Sequence, residues 1–175
     1  MITTSPIDNN ETVVRILHKE WVVDGPLQIT AFALRQGESY ISVNRPAVDT
    51  FLSDVTDFVS KHADYKISDE GSLAYRQASL GVSAVRNIKV DLGQLSADVS
   101  VEVEPRDAHY KSHAGIFTRY DDKNIKGGQE TIQDKNDCLM PVRAILQKVQ
   151  HQLLALSSLE EHEINQSNVN PTGNI

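Results

Sequence analysis

The sequence predicts an α+β fold: a mostly antiparallel sheet of five or six strands, one packed helix and a C-terminal amphipathic helix. Three observations predict it. From Leu95 to Glu104, Leu95, Ala97, Val99, Val101 and Val103 alternate with Ser96, Asp98, Ser100, Glu102 and Glu104, the two-residue period of a half-buried strand. After Pro46 the period lengthens, and Val48, Phe51, Leu52, Val55, Phe58 and Val59 fall on one stripe of a helix. A second stripe near the C-terminus carries Val142, Ile145, Leu146, Val149, Leu153 and Leu156.

The elements follow in chain order. Residues 1–11 are polar and form a flexible arm. Thr12 to Leu17 is β-prone, and Asp24-Gly25 joins Trp21-Val22-Val23 to a second predicted strand, Leu27–Arg35. Gln36-Gly37-Glu38 turns the chain into a third, Ser39–Asn44, so that the three form a meander. Proline suits a first helical turn, where its missing N–H has no partner to lose, so the first helix is expected over Pro46–Lys61. Ala63–Ala78 is polar and expected to loop. Val82–Leu92 and Leu95–Glu104 are expected strands, and Pro105 stops the latter. Arg106–Tyr120 is a polar loop with a short apolar segment, Ala114–Phe117. The core domain thus spans 12–120. Residues 121–138 form a polar connector around Gly127-Gly128, 139–163 hold the C-terminal helix and 164–175 an Asn-rich tail.

Composition narrows the function classes. The 175 residues include 24 acidic and 17 basic side chains, a formal charge of -7. That balance argues against nucleic-acid binding, which needs clustered Lys and Arg on phosphates. A lone cysteine, Cys138, excludes an internal disulfide framework and any multi-cysteine zinc site. No basic-then-apolar leader and no run of ~20 apolar residues occurs, so a cytoplasmic chain without a membrane span is expected. His109 and His113 stand four apart, but Pro105 and the strand before it put them in a loop rather than on a metal-binding helix face. No metal and no cofactor is expected.

Two functional readings arise. Burying the six side chains of the C-terminal stripe is worth on the order of 10 kcal/mol before ordering costs, at roughly 1.5–3 kcal/mol each. The stripe must therefore cover itself, on its own sheet or on a partner. The first reading is an accessory subunit of a bacterial multi-protein system that binds a protein partner, or itself, through Val142, Ile145, Leu146, Val149, Leu153 and Leu156. The alternative is a small hydrolase or transferase of nucleotide, RNA or ADP-ribosyl type. Its candidate catalytic residues are His18, Ser42, Arg45 and His113, with Arg15 beside them, because the meander brings the ends of its first and third strands together. A histidine base beside a hydroxyl and an arginine suits transfer at an anionic group.

The strings Arg15-Ile-Leu-His18-Lys-Glu-Trp21-Val-Val-Asp24-Gly25, Ala31-Phe32 and Tyr40-Ile-Ser42-Val43-Asn-Arg45, then Gly81-Val82 and His113-Ala114-Gly115-Ile116, resemble a group of uncharacterised bacterial proteins with no established activity. The resemblance covers about two thirds of the chain and implies an intact core rather than a mechanism. An Asp-Pro of that group is replaced here by Glu104-Pro105. The serine strand after an arginine-led strand is also similar to ADP-ribosyltransferase-like toxins. That similarity implies roles for Arg15 or His18, for Ser42, and for Glu102 or Glu104.

Overall fold

Six strands form one antiparallel sheet in the computed structural model, which describes residues 5–35, 37–67, 73–91, 98–106, 109–121 and 140–164. They are β1 (Thr12–Ile16), β2 (Ile41–Asn44), β3 (Leu73–Gly81), β4 (Asp98–Pro105), β5 (His113–Asp121) and β6 (Ser158–Ile164). Their spatial order is β4-β5-β2-β1-β3-β6. Three helices accompany them: α1 (Phe51–Lys61), α2 (Val82–Arg86) and α3 (Met140–Leu156). The α+β class and the antiparallel sheet are as the periodicities predict.

Alternation along the strands gives the sheet two apolar faces. On one, Val14, Ile16, Leu73 and Tyr75 pack under Val55 and Val59 of α1. On the other, Val13, Val43, Leu80, Val101, Val103 and Ile116 meet Val82 and Val85 of α2 and Val149 and Leu153 of α3. β4 behaves as its alternation demands: Val101 and Val103 are buried, and Glu104 pairs outward with Arg119 at 2.5 Å.

Several expected elements differ. Leu27–Arg35 is no strand; it holds a 3-10 turn, Ile29–Phe32, whose Ala31 and Phe32 plug the core beside α3. The meander therefore lacks its middle strand, and β1 lies directly against β2. Pro46 does not open α1. Two turns, with Val48 N–H donating to Arg45 C=O and Phe51 N–H to Val48 C=O, delay the helix to Phe51. The expected loop Ala63–Ala78 becomes β3 from Leu73, and the expected strand Val82–Leu92 begins as α2. There Val82, Val85 and Ile88 are buried at three-residue spacing, a helical signal hidden inside a β-prone run. Ala114–Phe117 is the middle of β5 rather than a short apolar piece of loop.

The C-terminal helix ends at Leu156, and the chain returns as β6 along β3, with Leu73 opposite Ile164 and Ser79 opposite Ser158. This strand had no apolar alternation to announce it. It is an edge strand carrying Glu160, Glu161, His162 and Glu163, the charged composition that discourages further pairing. In α3, Val142, Ile145, Val149 and Leu153 are buried within the chain's own core, Leu146 is half-buried and Leu156 is exposed. Docking on the home sheet, one of the two arrangements the stripe permits, is thus the one found. Apart from Asp121 and Ile164, the expected connector and tail lie outside the described residues, as do Cys138 and Leu139. Among the described residues no helix is long and apolar enough to cross a membrane.

Candidate functional site

β1 and β2 share a single Cα pair, Val14 with Asn44, whereas β1 and β3 run in register for five. Beyond that pair the two strands part. Arg15 fills the gap: its Nη1 donates to the Ser42 carbonyl at 2.8 Å, supplying a bond that the ladder does not make there. The parting opens a cleft of about 340 Å³ lined by Arg15, Trp21, Arg35, Ser42, Asn44, Tyr65 and His113, with Phe58 of α1 and the 109–110 loop closing one side. That volume falls within the roughly 300–1,000 Å³ of small-molecule sites.

Ser42 and His113 come together across the β2–β5 ladder, where Ser42 pairs with Gly115 and Asn44 with His113. Ser42 Oγ lies 2.7 Å from His113 Nε2, and the hydroxyl donates when that nitrogen is unprotonated. Burial, assisted by the Arg106 charge, pushes the His113 pKa below its ordinary value. The imidazole is therefore neutral at physiological pH and able to accept a proton.

The support around this pair is built from ordinary packing. Gly115 has no Cβ, and one placed there would lie 2.6 Å from Tyr40 Cδ2 and 2.8 Å from Phe117 Cε2. Glycine thus lets the Tyr40 and Phe117 rings lie on the strand. Tyr40 in turn sits 5.9 Å from the His113 ring and carries the Arg106 guanidinium 4.8 Å above it. From the other side α1 holds the loop that leads into β5. Asp54 Oδ2 accepts the Ser112 N–H at 2.8 Å, and Asp57 Oδ2 accepts the Tyr110 hydroxyl at 2.8 Å. Desolvation and the Asp57 carboxylate keep that phenol protonated, its pKa pushed up to about 12.

Two guanidinium groups flank the cleft. Arg15 is 4% exposed, and among the described residues it forms no ion pair; its Nε has no hydrogen-bond partner. Desolvation brings its pKa down to about 10, and Glu38 acts on it only through space, so it stays cationic at neutral pH. Its planar head lies 4.7 Å from the Trp21 ring centre, and that of Arg35 lies 5.0 Å from it. Arg35 Nη2 donates to the Tyr65 hydroxyl at 3.3 Å. Trp21 and Tyr65 meet edge to face at 6.3 Å, as do Phe58 and Tyr65 at 4.9 Å, giving the cleft one aromatic wall.

No protein-family model, no curated protein and no solved structure matches the chain.

Of the residues singled out in the sequence, Arg15, Ser42 and His113 converge. Arg45 does not join them. Its side chain is saturated by Glu11 at 2.9 and 3.1 Å and by the Ser5 and Pro6 carbonyls, a clamp on the N-terminal segment, because β2 ends one residue earlier and turns it away. His18 stays outside the lining. β1 has ended at Ile16, and the ring's Nδ1 accepts the Glu20 N–H of a 3-10 turn at 3.3 Å while its edge meets Tyr65. Glu102 and Glu104 line no part of the cleft; from β4 they pair with Arg86 of α2 and Arg119 of β5. The third position implied by the toxin-like similarity is accordingly unfilled by either. Trp21, Arg35, Asn44 and Tyr65 escaped sequence reasoning. Trp21 and Tyr65 stand in short 3-10 turns, Arg35 in an irregular stretch and Asn44 at a strand end, where no periodicity assigns a face. Among the described residues no group of three or more potential metal ligands occurs.

Proposed function

We propose that the chain is a small hydrolase or transferase in which Ser42 attacks an anionic ester and His113 acts as its base. The observation that carries this is the 2.7 Å contact of Ser42 Oγ with a neutral imidazole at the wall of a cleft that also holds an unpaired, buried arginine. Hydroxyl and base within hydrogen-bond reach are the minimum for nucleophilic catalysis. In the first half-reaction the Oγ proton passes to His113 Nε2 as Oγ bonds to the electrophilic centre. The ester oxygen leaves with that proton. In the second, water or an acceptor hydroxyl yields its proton to His113 as its oxygen bonds to the transferred group, and His113 returns that proton to the departing Oγ, restoring serine and neutral imidazole. Arg15 and Arg35 supply positive charge near the anion throughout.

Nitrophenolate release from p-nitrophenyl phosphate tests the reading. Saturable turnover is expected, lowered about 10²–10⁴-fold by Ser42→Ala and by His113→Ala with folding unchanged by circular dichroism. Equal rates in all three proteins would reject it. The partner-binding reading of α3 retains only the exposed Leu156 and neighbouring Leu159 and the half-buried Leu146, since the rest of its stripe is engaged at home, and it ranks second for that reason.

A further inference from the structure

Charge and shape in the cleft together restrict what can enter. Arg15 is a cation only 4% exposed whose one described hydrogen bond goes to a backbone carbonyl. A buried charge without a counter-ion is costly, and a chain with net charge -7 had acidic side chains to spare for pairing it. Arg45 shows what pairing looks like here, with a carboxylate held on two nitrogens. Arg15 instead lines the cleft with Nη1 on the Ser42 carbonyl and, among the described residues, no partner for Nε. Arg35, a second guanidinium over the same indole, adds to it, and Glu38 is the carboxylate lining this part of the cleft. Among the described residues lining the cleft, two guanidinium groups stand against one carboxylate, which suits a dianionic group better than a single carboxylate, and planar guanidinium forks match phosphate oxygens. The adjoining wall is Trp21, Tyr65 and Phe58, an apolar surface for a flat ring system.

We propose that the cleft takes a phosphomonoester of a flat aromatic or heterocyclic compound, of mononucleotide size, with Arg15 and Arg35 on the phosphate and the aromatic wall against the ring. This deepens the hydrolase or transferase reading and rests on it in taking the cleft as the working site. The confined volume and the chain's net charge of -7 favour a free mononucleotide over a polynucleotide end, although both present the same phosphate-bearing base.

Trp21 is the chain's one tryptophan, so fluorescence excited at the red edge of its absorption, where the five tyrosines do not absorb, reports on this wall alone. Titration of the full chain with adenosine monophosphate should change that fluorescence saturably. Adenosine and inorganic phosphate should each bind at least about tenfold more weakly, since each lacks one half of the contact. Arg15→Met should weaken the monophosphate about tenfold to a hundredfold and leave adenosine unaffected. Arg35→Gln, at an exposed position, should weaken it several-fold in the same selective way, with the fold checked by circular dichroism. Ser42→Ala should bind as the parent does, so a failed turnover assay with intact binding would sink the catalytic reading and leave this one standing. Equal affinity for adenosine and its monophosphate, no response to either, or tighter binding of a short RNA than of the monophosphate would each overturn the proposal.

Discussion

Arg15 and Arg45 have the same side chain, the same 4% exposure and opposite purposes. Arg45 meets Glu11 and two backbone carbonyls, so every nitrogen is engaged and the N-terminal segment is fastened to the end of β2. Removing one partner of such a pair leaves a buried charge uncompensated, and Arg45→Ala is expected to cost about 3–5 kcal/mol in urea unfolding. Arg15 has no such partner among the described residues, so its guanidinium burdens the fold. Arg15→Met, which keeps the length and removes the charge, is expected to leave unfolding stability unchanged or raised. A loss as large as that of Arg45→Ala would mean that Arg15 is a structural clamp as well. The contrast turns on hydrogen-bond partners, which residue type alone does not reveal.

At the scale of elements, the two ends of the cleft are set by different forces. β1 and β2 open because only one residue pair joins them, and the 3-10 turn at Ile29–Phe32 drives Phe32 into the core instead of supplying a strand between them. α1 contributes Phe58 to the wall, and its Asp54 and Asp57 tie down the loop ahead of His113. The far face of the sheet is covered by α3, whose buried side chains hold the layer together. Ile145→Ala and Leu153→Ala are expected to cost about 2–5 kcal/mol each by thermal or denaturant unfolding. Leu156→Ala, on the exposed side of the same helix, is expected within about 0.5 kcal/mol of the parent. Large and equal effects at all three positions would place Leu156 in an interface with another chain.

For the whole molecule, acid should weaken the fold in two stages. The His113 pKa lies below its unfolded value because burial and Arg106 disfavour the charged ring. The unfolded chain therefore binds more protons here as pH falls below ~6.5, and stability declines from that point down to the folded value. Glu11 is lowered chiefly by its hydrogen bond to Arg45. Its contribution is complete above the ordinary carboxylate range of ~4.3 and is lost as pH falls through the folded value. Unfolding free energy measured from pH 8 to pH 3 should show a shallow first loss and a steeper second one. His113→Gln should remove the first, and a curve unchanged by that substitution would show that the imidazole is not desolvated.

Periodicity determined the class of the fold, the alternating strand β4, the body of α1 and the buried stripe of α3, because in each a repeating burial pattern is written in consecutive residues. The expected meander put Arg15, His18, Ser42, Arg45 and His113 in one candidate group, of which Arg15, Ser42 and His113 converge. What consecutive residues do not contain is a partner's position. That β1 lies against β2 and then parts from it, that Arg45 is spent on Glu11, and that Trp21, Arg35 and Tyr65 wall a cleft all depend on contacts between segments far apart in the chain. Only the tertiary structure decided them, since burial of Ala31 and Phe32 outweighs the β-propensity of the stretch between β1 and β2.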